Sequence, residues 1–174
     1  MRLVIIACGC FCLALADISG YYKRKAEKFM AEKAKQKNVT TLKSGVLVEV
    51  IKSGINQNAR SPHLRSKVKA TYSCALSDGT IYDGDTFIFS PGELPLKAWG
   101  ETMTFMGESD KWRMYIPPAL GYGDKGISPK PNIPPFSVLV IDTEIHIVLG
   151  DGYPIKEAKE RFISNSVDKQ LYEL

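Results

Sequence analysis

The sequence contains few of the residues that most often form catalytic or metal centres. It has two histidines and four cysteines in 174 residues. His63 and His146 lie far apart in the sequence, and neither is close to Cys74, so the pattern gives no support to a metal site. A Gly-x-Ser-x-Gly sequence, which would position a nucleophilic serine, is absent. Neither a metalloenzyme nor a serine hydrolase is therefore indicated.

The charge balance and the glycine pattern also exclude two common classes of ligand. The net charge of +4 is too small to indicate binding to nucleic acid or to a membrane by itself. Residues 121–126 match G-x-G-x-x-G, but a dinucleotide site needs a helix to begin there. The following residues, 127–131, contain two prolines and cannot begin that helix. We therefore expect no cofactor and no nucleic acid partner.

An apolar run near the beginning of the chain is typical of a targeting segment. Arg2 precedes the run Leu3–Leu15, and Ala14 and Ala16 form a small-x-small cleavage pattern. The run is too short to span a bilayer stably. We predict a signal peptide over residues 1–16, a location in the secretory pathway or outside the cell, and no stable membrane insertion after cleavage. The alternatives are a membrane anchor or an apolar terminus without a targeting role.

Cleavage at this position would remove three of the four cysteines. Cys8, Cys10 and Cys12 lie within the predicted signal peptide, so only Cys74 would remain. A single cysteine cannot form an internal disulfide. Cys74 alternates with apolar residues in a strand pattern, which predicts a small buried side chain rather than a reactive thiol.

A basic segment follows the predicted signal peptide. Residues 21–37 contain seven Lys or Arg and two Glu, and no Gly or Pro interrupts them. Apolar residues recur near helical spacing at Tyr22, Ala26, Phe29, Met30 and Ala34. We expect a helix that packs on its own domain through this stripe. The alternatives are an arm that forms a homodimer and a contact with an anionic surface. Asn38 begins an N-x-Thr sequence, which is a glycosylation site only in a secreted chain.

The middle of the chain alternates apolar and polar residues, as antiparallel strands with one solvated face do. Residues 67–76, 111–116 and 139–147 show this pattern, and residues 77–79 form an Asp-Gly turn. Only Pro95–Met103 between the strands has a helical pattern. After the last strand, Pro154–Leu171 is expected to form an amphipathic helix.

Several short segments together resemble the FKBP-type peptidyl-prolyl cis-trans isomerases. The resemblance covers residues 45–148, more than half of the chain. It is carried by Tyr72, residues 78–83, Leu96 to Trp99, residues 120–123, and Ile133-Pro-Pro135 before the last strand. The basic helical prefix is most similar to the secreted branch that is related to the macrophage infectivity potentiator, the Mip-like branch.

The resemblance implies an α+β fold, in which an antiparallel half-barrel sheet wraps over one short helix. An N-terminal helix and a C-terminal helical extension would flank it. The implied organisation is a signal peptide (1–16), a basic helical arm and linker (17–43), an isomerase domain (44–149) and a helical tail (150–174). In the Mip-like branch the helical prefix often carries oligomerisation, so a homodimer through this helix is one expectation.

The resemblance also implies which residues bind the substrate. Trp99 would form the floor under the proline ring, Tyr122 would donate its hydroxyl to a substrate carbonyl, and Asp83 would supply a polar wall. The apolar walls and the rim would be formed by Tyr72, Tyr82, Phe87, Leu96, Ile133 and Ile141. Proline-containing peptides, unfolded chains and macrolides such as rapamycin are the implied ligands.

The sequence departs from the family pattern at several of these positions. Tyr82 stands where many relatives have Phe, Ile141 replaces an aromatic residue, and the connection from Tyr82 to Phe87 is several residues shorter. These changes alter the wall opposite Tyr122. The sequence therefore predicts a peptidyl-prolyl cis-trans isomerase that assists protein folding with lowered activity. The alternative is a non-catalytic module that binds or chaperones other chains through the same pocket.

Overall fold

The computed structural model describes residues 5–54 and 56–167, with side chains described from Ile18 onward. Two short 3-10 helices, Pro91–Glu93 and Pro118–Leu120, supplement the main elements. In chain order, the elements are α1 (Ile5–Ala34), β1 (Val39–Thr41), β2 (Leu47–Lys52), β3 (Arg60–Pro62), β4 (Lys67–Leu76), β5 (Ile81–Phe89), α2 (Lys97–Met103), β6 (Lys111–Ile116), β7 (Leu139–Leu149), β8 (Gly152–Pro154) and α3 (Ile155–Asn165).

Six strands form one antiparallel sheet, in the order β1-β2-β6-β7-β4-β5. Strands β3 and β8 pair separately. Alternate residues of the long strands point to one face, which packs on α2. The fully buried members include Val68, Met114 and Leu139. Burial of each large apolar side chain contributes about 1.5–3 kcal/mol to stability. The α+β architecture expected from the sequence is confirmed.

Helix α2 is shorter at its beginning than the sequence pattern predicts. It begins at Lys97, with Leu96 as the N-cap in an extended conformation. Pro95 lies just before the helix, and the end at Met103 is as predicted. Because Ala98, Trp99 and Met103 face the sheet, this short helix is the element that fills its concave side.

The prediction for the last strand was wrong at one residue. The alternation predicted over residues 139–147 places Ile147 inward with Ile141 and Ile145, but its side chain is 42% exposed, whereas the neighbouring Val148 is fully buried. The register between β4 and β7 shifts between the pairs Lys69–Ile147 and Ala70–Ile145. The extra residue in β7 reverses the alternation beyond the bulge.

Helix α1 packs on the outer face of the sheet through three of the five residues of the predicted apolar stripe, whereas Tyr22 and Ala34 are exposed. Ala26, Phe29 and Met30 belong to a cluster with Tyr115 and Leu47. The alternation predicted over residues 111–116 places Tyr115 on the solvated face, but this helix covers it and leaves it 2% exposed. The Phe29 and Tyr115 rings lie 6.0 Å apart.

The helix bounds differ from those expected from the sequence. α1 extends from Ile5 through the predicted cleavage position and ends at Ala34, three residues before the predicted end at Lys37. The predicted linker contains β1, which pairs with β2. None of the described helices combines the length and the apolar character needed to cross a membrane.

The C-terminal helix is also shorter than predicted. α3 ends at Asn165, and Ser166 is extended and forms a bridge with Leu42. The backbone N–H of Val167 then donates to the Thr41 carbonyl oxygen. Val167 is 59% exposed, so it does not share the buried face of α3, and Leu171 lies outside the described residues. Pairing with the segment around β1 replaces the last helical turns.

Candidate functional site

Trp99 lies at the centre of the concave side of the sheet. It is 3% exposed, and its indole Nε1–H donates to Thr143 Oγ1 at 2.9 Å. Its ring centroid lies 5.2 Å from that of Tyr72 and 6.2 Å from that of Phe89. Because the only polar atom of the indole is hydrogen-bonded below, the ring can present an apolar surface to a ligand.

Tyr72 and Asp83 join the aromatic centre to a polar wall. Cross-strand pairing of β4 with β5 places Cys74 opposite Asp83 and Tyr72 opposite Asp85. The Tyr72 hydroxyl donates to Asp83 Oδ2 at 3.2 Å, while Asp83 Oδ1 accepts from the backbone N–H of Gly84 at 2.8 Å. Both carboxylate oxygens of Asp83 are therefore oriented.

The short connection from Tyr82 to Phe87 is a continuous part of β5. Residues 83 to 89 pair one by one with β4, and the register shifts between the pairs Cys74–Asp83 and Ala75–Ile81. Tyr82 is the extra residue at this shift, which lets its side chain reach the interior. Its hydroxyl is buried beside the Cys74 thiol, without a hydrogen bond of ordinary geometry among the described residues.

Tyr122 and Ile133 lie on the loop between β6 and β7. Backbone hydrogen bonds hold this loop. The N–H groups of Ile127 and Ile133 each donate to the carbonyl oxygen of the other residue at 2.9 Å, and the N–H of Phe136 donates to the Gly123 carbonyl oxygen at 2.8 Å. Gly126 has φ +62°, and a Cβ there would lie 2.0 Å from the Ile133 carbonyl oxygen, so glycine is required. The Tyr122 side chain packs against the main core.

All nine site residues expected from the sequence lie in one neighbourhood, and we name eight of them the aromatic cup; Leu96, Trp99 and Ile133 are the buried members, at 4%, 3% and 1% exposed. The cup consists of Tyr72, Tyr82, Asp83, Phe87, Leu96, Trp99, Tyr122 and Ile133. Ile141 is fully buried between Met114 and Cys74 in the sheet register, so it lies beneath the cup. It would support the wall rather than contact a ligand directly.

Two residues of this neighbourhood escaped the sequence prediction. Phe89 connects Phe87 to Trp99, with ring centroids 4.6 and 6.2 Å away. The period-two pattern of β5 could have placed it on the same face as Phe87. Thr143 is a polar residue in an otherwise apolar inward row of β7, and its hydroxyl accepts the Trp99 hydrogen bond. Only the tertiary structure brings Phe89 and Thr143 next to Trp99.

Burial perturbs the titration of the phenols and the thiol in this region. Burial, with the Asp83 carboxylate next in weight, raises the pKa of Tyr72 to about 12. Burial also raises the pKa of the Cys74 thiol to about 12, and it shifts the pKa values of Tyr82 and Tyr122 upward. At neutral pH all four groups are therefore uncharged, and the hydroxyls are available as donors.

These shifts predict that the protein loses stability in alkali. A group whose pKa is raised by folding favours the folded state below its unfolded pKa, and this contribution is lost as the pH rises toward the folded pKa. For Cys74 and Tyr72 the loss extends from about pH 9 to about pH 12. We expect the urea midpoint to fall across this window, and to fall less in Cys74→Ala. An unchanged midpoint from pH 9 to pH 12 would contradict the shifts.

Comparisons with known proteins identify the family of this chain. A sequence model described as FKBP-type peptidyl-prolyl cis-trans isomerase matches residues 58–146. The chain is 35% identical over 148 residues to a Trypanosoma cruzi protein named macrophage infectivity potentiator, covering 82% of this chain and 72% of that protein. It is 33% identical over 126 residues to an Escherichia coli protein named FKBP-type 22 kDa peptidyl-prolyl cis-trans isomerase, covering 70% of this chain and 59% of that one.

Solved structures show the same fold. A peptidyl-prolyl cis-trans isomerase from Pseudomonas syringae superposes with a TM-score of 0.68 at 25% identity, covering 76% of this chain and 96% of that chain. FkpA from Escherichia coli superposes with a TM-score of 0.68 at 26% identity, covering 82% of this chain and 64% of that chain.

Proposed function

Because this chain belongs to the family of FKBP-type peptidyl-prolyl cis-trans isomerases, we propose that its aromatic cup binds X-Pro segments and catalyses their isomerisation. The observation that carries this proposal is the position of Trp99. Its buried indole N–H donates a hydrogen bond to Thr143 Oγ1, and the Tyr72 ring packs beside it. The Tyr72 hydroxyl in turn donates to the Asp83 carboxylate. Proline-containing peptides and unfolded chains are the expected substrates, and macrolides such as rapamycin are expected to compete for the cup.

The cup can lower the rotation barrier without covalent chemistry. Rotation of an X-Pro bond crosses about 18–20 kcal/mol because it breaks amide resonance. The planar amide is more charge-separated than the twisted one, so an apolar surface such as Trp99 and Leu96 favours the twisted form. Tyr122, uncharged at neutral pH, would donate its hydroxyl to the substrate carbonyl, and Asp83 would supply a polar wall.

The decisive experiment is NMR exchange spectroscopy on a short X-Pro peptide with the purified protein. Accelerated exchange between the cis and trans signals of the proline supports the enzyme. Peptide binding without acceleration supports the non-catalytic binding and chaperone module instead. Absence of both would remove the proposed role of the cup.

We propose that catalysis is weaker than in relatives with a wholly apolar wall, because the Tyr82 hydroxyl is buried there without an ordinary hydrogen bond. Replacing Tyr82 by Phe is therefore expected to raise kcat/KM several-fold. Removing an unsatisfied buried hydroxyl should also stabilise the fold by about 1 kcal/mol. Tyr72→Phe is the matched control, since its hydroxyl is bonded to Asp83 and its loss should lower kcat/KM. Exchange rates and urea unfolding measure both effects. A Tyr82→Phe variant that is slower and less stable would contradict this assignment.

We propose further that the protein enters the secretory pathway and is cleaved after Ala16. The apolar run Leu3–Leu15 and the small residues Ala14 and Ala16 support this proposal. N-terminal sequencing of the native protein should begin at or near Asp17. An Ala16→Arg variant should block cleavage, and a native N-terminus at Met1 would contradict the proposal. Asn38 is exposed, so its amide is accessible to a glycosyl group, although it also donates to Glu49 Oε1 at 2.6 Å.

We also propose that the protein forms a homodimer through α1. The inner face of α1 is occupied by its own sheet, but Ile18 and Tyr21 are 54% and 58% exposed. A second copy of α1 could bury them. Sedimentation of the Ile18→Lys variant beside the wild-type protein would test this contact.

A further inference from the structure

The free edge of β5 adjoins the aromatic cup and carries exposed apolar side chains. β5 is the last strand of the six-stranded sheet, and β4 is its only strand partner among the described residues. Ile81, Phe87 and Ile88 are 69%, 39% and 53% exposed. Phe87 belongs both to β5 and to the cup, and its ring centroid lies 5.6 Å from that of Tyr72, so the edge adjoins the cup. An extended chain that leaves the cup would meet this edge directly.

Among the described residues, two backbone N–H groups on this edge form hydrogen bonds only with side chains of their own strand. Alternate residues of an edge strand direct their N–H and C=O groups away from the partner strand. Gly84 and Thr86 are such alternate residues, and their N–H groups donate to the carboxylates of Asp83 and Asp85 at 2.8 and 2.6 Å. Each carboxylate belongs to the preceding residue of the same strand, which indicates that these N–H groups face solvent rather than β4.

An incoming strand can replace these local hydrogen bonds with its own carbonyl oxygens. The carboxylates that it displaces remain beside the new strand, where they can pair with basic side chains. Exposed sheet edges bind extended peptides in this way, with main-chain hydrogen bonds for affinity and side chains for selectivity. The charges of Asp83 and Asp85 therefore favour an incoming segment with Lys or Arg.

The same two charges disfavour a second copy of this chain. Edge-to-edge pairing of two β5 strands around Gly84–Thr86 would bring the Asp83 and Asp85 carboxylates of both copies close together. Like charges opposite each other in a sheet destabilise the pairing. A client with the opposite charge meets no such repulsion.

We propose that a client chain whose X-Pro bond occupies the aromatic cup adds its adjoining extended, basic segment to the free edge of β5 as a further strand. This inference rests on the proposed function of the cup and names the class of substrate that the cup receives. Short X-Pro peptides would use the cup alone, whereas longer basic clients would use the cup and the edge together.

The test uses peptides that differ only in the adjoining segment. The short probe is Ala-Leu-Pro-Phe, and the long probes extend it with Thr-Lys-Val-Lys-Val-Thr on either side of the core. Of the two long probes, the one whose added segment reaches β5 should bind roughly tenfold tighter than the short probe, because several strand hydrogen bonds are added. In labelled protein the amide signals of Gly84, Thr86 and Ile88 should shift with the long probe only.

N-methylation of the peptide backbone distinguishes strand pairing from attraction by charge. Only every second residue of an added strand directs its N–H toward β5. Methylating one alternate set of residues should therefore abolish the tenfold gain, while methylating the other set should leave it. Equal effects of both sets, or no effect of either, would overturn the proposal.

A charge reversal tests the selectivity. Asp85→Lys should remove most of the preference for the Lys-containing probe over a probe with Glu at the same positions. Glu160→Lys, on the exposed face of α3, makes the same change of charge elsewhere and should keep the preference. A preference that falls equally in both variants would reflect net charge alone and would contradict a role for the edge.

The outcomes separate this proposal from the isomerase function. Failure to accelerate exchange in the short probe refutes catalysis by the cup, but the shifts of the β5 amides and the alternating N-methyl pattern still report on the edge. Acceleration of exchange without that pattern keeps the isomerase and refutes the added strand.

Discussion

Replacing Trp99 by leucine is expected to reduce binding of rapamycin-like macrolides and X-Pro peptides at least tenfold while the domain stays folded. Leucine removes the flat apolar floor and leaves the Thr143 hydroxyl without the indole donor. A substitution of this kind in a core costs about 2–4 kcal/mol, and a domain is typically stable by about 5–15 kcal/mol. Calorimetric titration gives the loss of affinity, and urea unfolding gives the loss of stability.

The second tryptophan supplies a matched control for this change. Trp112 is 5% exposed and packs on Phe162, with ring centroids 4.8 Å apart; it pairs with Thr143 in the sheet but is not one of the cup residues. Trp112→Leu removes the same atoms from the same core, but the buried Trp112 Nε1–H has no hydrogen-bond partner among the described residues, so the loss of stability should be somewhat smaller than in Trp99→Leu. It should leave ligand affinity near that of the wild type. If both variants lose affinity only in proportion to their loss of stability, Trp99 is a core residue and does not form a binding surface.

Replacing Gly100 by alanine is expected to destabilise the protein by more than about 2 kcal/mol, although alanine is the better helix former. Gly100 lies in α2, and a Cβ there would be 2.0 Å from the Pro91 carbonyl oxygen and 2.9 Å from the Pro91 carbonyl carbon. Both atoms are backbone, so no side-chain rotation can relieve the overlap. The helix would have to move, and Trp99 would move with it, so peptide binding should weaken together with stability.

An exposed neighbour separates this overlap from helix propensity. Glu101→Ala on the outer face of α2 should change stability by no more than about 0.5 kcal/mol. Urea unfolding of both variants, with the peptide titration described above, measures the difference. A Gly100→Ala protein that is as stable as the wild type would show that α2 does not approach Pro91 as closely as the structure indicates.

The sheet and the helix α2 on its concave side could be predicted from the sequence, because the alternation of apolar and polar residues in strands and their spacing in helices are properties of short segments. The inward rows of β4 and β6 follow directly from the period of two, and the apolar stripe of α1 from the period of 3.6. Family resemblance added the positions of the cup, and the structure brings those residues together. These predictions needed only the local order of residue types.

Other features depend on contacts between segments that are distant in the sequence. Tyr115 has a polar-face position in its strand, and only docking of α1 buries it. Ile147 follows the inward pattern, but the bulge where β7 pairs with β4 turns it outward. The C-terminal helix has a longer apolar pattern than its observed length, because Ser166 and Val167 pair with residues near β1.

The aromatic cup shows both kinds of determination. By itself, the sequence determined the strands and the helix that carry the cup, because these follow from local periodicity, while the cup residues themselves were implied by the resemblance of short segments to the family. Only the tertiary structure decided that Thr143 accepts the Trp99 hydrogen bond, that Tyr82 buries its hydroxyl, and that β5 leaves an edge open. Each of these depends on strand register and on the packing of α2, which arise from the balance of many long-range contacts rather than from any single segment.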